Sequence, residues 1–243
     1  MIVEASKFLI CRNYVAAQQP SFPTRRLPLL FWLSYATATA SDQRYSPTRR
    51  LPPQALKTLK SLEPLGRDMN VVVLLAPGFE ELEAVTIVDV LRRADISVAL
   101  AGIADPPIAG KHGIEVLPDI SIDDVKAYDA LVLPGGSPGY INLERDYRVL
   151  KLIREAHHAG KYIGAICGAP HVLGKAGIME GVTATCFPGV EIPGAKQVEE
   201  PVVRHGTIIT SQGPGTAIAF ALDLVEVLTS TENAREVRKG LLA

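Results

Sequence analysis

Lys161-Tyr162-Ile163-Gly164-Ala165-Ile166-Cys167-Gly168-Ala169-Pro170 is the stretch on which the fold turns. An apolar run of strand length leads into a cysteine, then small residues, then a proline placed where a helix can begin and its missing N–H costs nothing. This is the layout of a nucleophile elbow, a tight strand-to-helix turn that lifts one side chain clear of a sheet. Small neighbours are needed because such a turn crowds the backbone around the sulfur. The spacing predicts a helix N-terminus behind Cys167 that favours the thiolate and lowers its pKa below that of a free cysteine. A structural cysteine at a strand end is the bland alternative. Open α/β sheets carry their sites at the carboxyl ends of strands, which favours the functional reading.

Working outward, Ala130-Leu131-Val132-Leu133 and Val71-Val72-Val73-Leu74-Leu75 are continuous apolar runs, as expected of strands covered on both faces. Shorter strands are predicted at 96–100 and 114–117. A helix over 80–94 places Leu82, Val85, Val88 or Asp89, and Leu91 on one face, with acids first and Arg92-Arg93 last. Further helices are expected at 147–159 and at Pro170–Lys175. Strand and helix alternate, which implies crossover connections and a mainly parallel sheet. Beyond Gly177 come short strands at 182–186 and 208–210, then an apolar helix at 216–228 and a final short amphipathic helix.

Two other segments reach the same sheet edge. Ala76-Pro77-Gly78-Phe79-Glu80-Glu81-Leu82-Glu83 turns from strand to helix carrying three acids. Glu80 and Glu81 read as first-turn acids that complement the helix dipole. Glu83, one turn on from Glu80 among Leu82, Ala84 and Val85, can point inward, where a carboxyl beside a thiol holds its proton and donates a hydrogen bond. Pro134-Gly135-Gly136 follows a strand, and paired glycines let backbone N–H groups approach a reacting atom. Gly136 and Gly168 are therefore candidate oxyanion-type donors, with an ordinary turn as the alternative.

Charge divides the chain. Residues 1–68 hold ten Lys and Arg against four acids, and the remainder fifteen against twenty-two, so the net charge of −1 hides a basic arm on an acidic body. The body has no basic stripe with interleaved aromatics, which argues against specific nucleic-acid binding. No apolar run approaches the length of about 20 residues needed to span a membrane. The three cysteines, Cys11, Cys167 and Cys186, form no C-x-x-C pair and no Cys/His cluster, so a disulfide scaffold or zinc site is not expected. Cys186, in an apolar strand context, reads as a packed thiol. In residues 1–68 prolines interrupt every helical period. The preferred reading is a coil that reflects an over-extended start with Met69 as initiator; an Arg-rich organelle transit segment or a genuine functional arm also fits.

Together the four ordered motifs 76–83, 132–136, 165–170 and Thr210-Ser211-Gln212-Gly213-Pro214-Gly215-Thr216 resemble the ThiJ/PfpI superfamily, and within it the DJ-1 branch of the parkinsonism-associated deglycase and the bacterial YajL-like proteins. The resemblance covers residues 69–243. It implies a flavodoxin-like α/β three-layer sandwich, a cytoplasmic homodimer, Cys167 as oxidisable nucleophile, Glu83 as its protonated partner, and Gly136 and Gly168 as backbone donors. It implies detoxification of methylglyoxal, glyoxal or their early glycation adducts, including those on proteins, with release of 2-hydroxy acids and no cofactor or metal. An oxidation-sensing chaperone or redox sensor using the same cysteine is the rival. The peptidase-like branch has a histidine where this chain has Gly168, and the His-x-Glu pair of class I amidotransferases is absent, so peptidase or amidotransfer chemistry is disfavoured. His157, His158, His171 and His205 are expected in packed or solvated positions.

Overall fold

The structure, a computed structural model, describes residues 69–243; the arm expected over 1–68 lies outside them. In chain order the elements are β1 Asn70–Leu75, α1 Glu81–Arg93, β2 Ser97–Gly102, β3 Ile108–Ala109, β4 Glu115–Val116, β5 Ile120–Ser121, β6 Ala130–Leu133, α2 Gly139–Arg145, α3 Tyr147–His158, β7 Tyr162–Ile166 and α4 Pro170–Lys175. After these come β8 Thr183–Ala184, β9 Lys196–Gln197, β10 Val202–His205, β11 Ile208–Ser211, α5 Ala217–Leu228 and α6 Thr231–Leu241. Seven strands form one sheet in the order β10-β11-β7-β6-β1-β2-β5, parallel throughout except for β10 against β11.

Alternation along the central strands explains the sandwich. Val72 and Leu74 of β1 join Leu131 and Leu133 of β6 in a core with Val149 and Ile153 of α3 and Val172 and Leu173 of α4. Val71 and Val73 face the other way, against Ile87 and Leu91 of α1, Phe220 and Leu224 of α5 and Val237 of α6. Each strand is thus covered on both faces, and its unbroken apolar run is the consequence. This is the three-layer α/β sandwich that the resemblance implied.

From β1 the chain adds β2 and β5 on one side, then returns to add β6, β7 and β11 on the other. The order reverses between β1 and β6, and the crevice at the carboxyl ends of these strands is where open sheets bind ligands. The turns after β1, β6 and β7 all arrive there.

Several expectations change. Of residues 114–117 only Glu115–Val116 pairs, in a hairpin with β3 apart from the main sheet, because Ile114 and Leu117 are 58% and 72% exposed. Residues 182–186 reduce to β8, which pairs with β9. The inward face of α1 is not that of Leu82 and Val85, which are 54% and 55% exposed; Ala84, Ile87, Val88, Val90 and Leu91 are buried together with Glu81 and Glu83. An apolar periodicity counted from Leu82 is one face out, because the first turn buries carboxylates. Helix α2 and the short edge strands β5 and β10 had no clear pattern in the sequence.

Phe220 is fully buried, and a Cβ built at Gly164 would lie 3.0 Å from its ring. Its contact with β7 supports the strand that presents Cys167. Phe220→Ala is expected to destabilise the domain by about 3–5 kcal/mol, whereas Ile218→Ala, on the exposed side of α5, changes stability by less than about 0.5 kcal/mol. Urea unfolding midpoints check both.

Candidate active site

Cys167 follows β7 directly and adopts a φ of 62°, a left-handed conformation that a side chain rarely takes. Strain of this kind costs about 1–3 kcal/mol and persists only where the surroundings enforce it. Here the Cys167 N–H donates to Ser211 O at 2.9 Å, and its carbonyl accepts from Phe187 N at 2.8 Å. Strand β11 and the segment after β8 thus grip the elbow on both sides.

Glu83 comes from the first turn of α1 and is completely buried. Its Oε2 accepts from Gly135 N–H at 2.7 Å, while Oε1 is buried with no protein partner of its own, and the carboxyl interacts with the Cys167 thiol. Burial pushes Glu83 from the usual 4.5 up to about 7, against the pull of the Gly135 N–H and the thiol; Glu80 adds to the rise and Lys111 opposes it.

The thiol departs from the sequence expectation. Burial first, then the charge of Glu83, push Cys167 up to about 12, although the backbone N–H groups of Gly136 and Gly168 both favour the thiolate. Helix α4 has only six residues and starts beyond Ala169, so its dipole is weak at the sulfur. A charged carboxylate in contact outweighs it. Burial and the neighbouring carboxyl thus act against the thiolate, and the two backbone N–H groups act for it.

Both glycine donors are fixed by space. Gly136 has a φ of 91°, and a Cβ there would run into Gly78 O and Glu80 N. At Gly168 a Cβ would lie 2.5 Å from Tyr140 Cδ1, so the Tyr140 ring covers this position. Tyr140 lay in a segment whose helix, α2, left no sequence signal, and its place over Gly168 is visible only in the fold.

Other residues take different places. Cys186 is buried, its Sγ 2.9 Å from Val190 O and accepting from Gln197 Nε2 at 3.1 Å, and burial pushes its thiol up to about 11. His171 is packed, with Nδ1 2.6 Å from Glu191 O and Nε2 3.4 Å from Glu144 Oε2, and its ring meets the edge of Tyr140. Glu81 is in the first turn as expected and Glu80 directly precedes it, and both are buried. Burial raises the Glu81 carboxyl, but backbone N–H groups and the His112 ring outweigh it and leave Glu81 below its ordinary value. A cavity of about 570 Å³ lined by Asp123, Asn142, Arg145, Asp146, Tyr147 and Arg148 holds none of the groups around the thiol, and its Arg148 is committed to Asp146 and Asp123.

The profile of the DJ-1/PfpI family matches residues 69–227. Protein dj-1beta of Drosophila melanogaster is 39% identical over 180 residues, covering 71% of this chain and 96% of that protein. A glutathione-independent glyoxalase of Caenorhabditis elegans, DJR-1.2, is 36% identical over 178 residues, covering 71% of this chain and 95% of the relative. The crystal structure of Drosophila melanogaster DJ-1beta superposes with a TM-score of 0.69 at 38% identity, covering 73% of this chain and 99% of that one.

A carboxyl raised from 4.5 to about 7 binds its proton more tightly in the folded state. Its contribution to stability is whole below the unfolded value and is lost as pH rises through about 7. Glu83→Gln, neutral throughout, is expected to abolish a decline of about 3 kcal/mol between acid and mildly alkaline pH. Urea unfolding of both proteins at pH 5 and pH 8 measures it, and parallel declines would show that Glu83 is not the group responsible.

Proposed function

This chain belongs to the DJ-1/PfpI family, and from that premise and the contact between Cys167 and a buried carboxyl we propose that it converts methylglyoxal or glyoxal, and their early adducts with amines and thiols, into 2-hydroxy acids without a cofactor. The supporting observation is the Glu83 carboxyl, raised to about 7 and touching the thiol. A base with that pKa can exchange protons in both directions near neutrality.

In this reading Cys167 Sγ attacks the aldehyde carbon as Glu83 takes the thiol proton and returns it to the new oxygen, giving a hemithioacetal. Glu83 then moves the hydrogen from the sulfur-bearing carbon to the neighbouring carbonyl carbon by way of an enediol, leaving a 2-hydroxyacyl thioester. Water cleaves that thioester, releasing the 2-hydroxy acid and the free thiol. The N–H groups of Gly136 and Gly168, which already favour a negative charge on the sulfur, would support the developing oxyanion. The name of the nematode relative, a glutathione-independent glyoxalase, supports the substrate class.

A second reading, oxidation sensing, is favoured by the same donors. Two N–H groups and the uncommitted Glu83 Oε1 suit the oxygens of a sulfinate on Cys167, whereas Cys186 is enclosed. We also read the chain as a cytoplasmic homodimer. The apolar side chains of Leu82 and Val85 on α1 and of Ile114 beside β4 are exposed, which suits a second copy. Among the described residues no helix is long and apolar enough to cross a membrane.

Lactate formation from methylglyoxal by the full chain, with chelator present, tests the catalytic reading. Cys167→Ser is expected to abolish turnover, and Glu83→Gln to lower kcat/KM by about 10²–10⁴. For the unmodified protein kcat/KM is expected to rise with pH through about 7, as Glu83 becomes the carboxylate that accepts the proton. Peroxide titration with peptide mapping tests the second reading; oxidation of Cys186 ahead of Cys167 would dismiss it.

A further inference from the structure

One cluster of ligating side chains lies beside the site without touching the Cys167 thiol. Glu80 and Glu81, where α1 begins, face His112 in the turn that joins β3 to β4. We infer that Glu80, Glu81 and His112 form a binding site for a divalent first-row transition-metal ion of the zinc type.

Geometry is the first argument. His112 Nδ1 lies 2.9 Å from Glu81 Oε2 and 3.6 Å from Glu80 Oε1, and one ligand atom from each residue falls within 4.8 Å of the others. A tetrahedral ion with bonds of about 2.0–2.1 Å to nitrogen and oxygen needs ligand atoms about 3.3 Å apart. The two measured edges bracket that separation.

Glu80 supplies an independent argument. Its side chain is only 9% exposed, yet among the described residues its carboxylate accepts no hydrogen bond and has only distant cations, Lys111 Nζ at 3.8 Å and His112 Nδ1 at 3.6 Å. Its oxygens therefore keep lone pairs open to a closer cationic partner. An ion at the centre of the triangle would supply that partner.

Glu81 is already oriented for the task. Its Oε1 accepts from His112 N at 2.6 Å and Ile114 N at 3.3 Å, which leaves Oε2 directed at the ring. Such supporting bonds to a ligand carboxylate hold its geometry and are characteristic of built metal sites. Two carboxylates against the single Lys111 ammonium leave negative charge to be neutralised, and the Lys111 side chain, 45% exposed, can turn to solvent. His112, 60% exposed, leaves a side open for a water as fourth ligand. One imidazole with two carboxylates suits zinc, cobalt or nickel.

The test is calorimetric titration of Zn²⁺ into the full chain carrying Cys167→Ser, which removes the reactive thiol as a competing ligand. One ion per chain is expected, with affinity reduced at least about tenfold by Glu80→Gln and by His112→Ala, and unchanged by His157→Ala. Co²⁺ is expected to give the visible absorption of a four-coordinate site, lost in His112→Ala. Glu80→Gln keeps the side-chain volume and His112→Ala alters a mostly exposed ring, so neither result turns on misfolding. Zinc affinity that survives both variants, or that falls only with His157→Ala, overturns the assignment.

Discussion

The hydrogen bond of 2.7 Å from Gly135 N–H to Glu83 Oε2 ties the end of β6 to the first turn of α1, directly beneath the sulfur of Cys167. A fully buried carboxyl without it would face the entire cost of lost hydration. With it, one oxygen is satisfied and the other is left for the thiol. The glycines after β6 allow the approach: a Cβ at Gly135 would lie 2.6 Å from Cys167 Cβ and 3.0 Å from Glu83 Oε2. The crevice where the sheet order reverses is thereby filled with a proton-sharing pair.

That pair is held against the preferences of its parts. Cys167 sits at a φ of 62°, and Glu83 lies where burial penalises its charge. Both choices lower stability locally, as is common where a site needs a strained or desolvated group. The compensation comes from the two cores that sandwich the central strands, in which Leu74, Leu131 and Ile153 on one side and Ile87, Phe220 and Leu224 on the other are completely buried. A carboxyl poised near neutrality, rather than a thiolate formed in advance by a helix dipole, is what this arrangement makes available.

The start of α1 sends three carboxylates, Glu80 of the N-cap and Glu81 and Glu83 of the first turn, in separate directions. Glu83 points to the thiol, Glu81 grips the turn at His112 and Ile114, and Glu80 lies between Lys111 and His112. The β3–β4 hairpin is therefore fastened to the same turn that carries Glu83, and Glu80 and Lys111 act on Glu83 through their charge.

By itself the sequence determined the central architecture and the elbow that presents Cys167. The runs in β1, β6 and β7 are apolar at successive positions because both sheet faces are covered, and Ile166-Cys167-Gly168-Ala169-Pro170 allows little but an elbow. Glu83 was legible as a candidate because it stands among apolar neighbours one turn from Glu80. Only the tertiary structure decided that Leu82 and Val85 face outward while Glu81 is buried, that Tyr140 covers Gly168, and that the Cys167 thiol is raised and not lowered. The physical reason is range. Strand burial and turn chemistry act between neighbours along the chain, whereas desolvation and charge depend on groups brought together from distant turns, as Glu83, Gly135 and Cys167 are here.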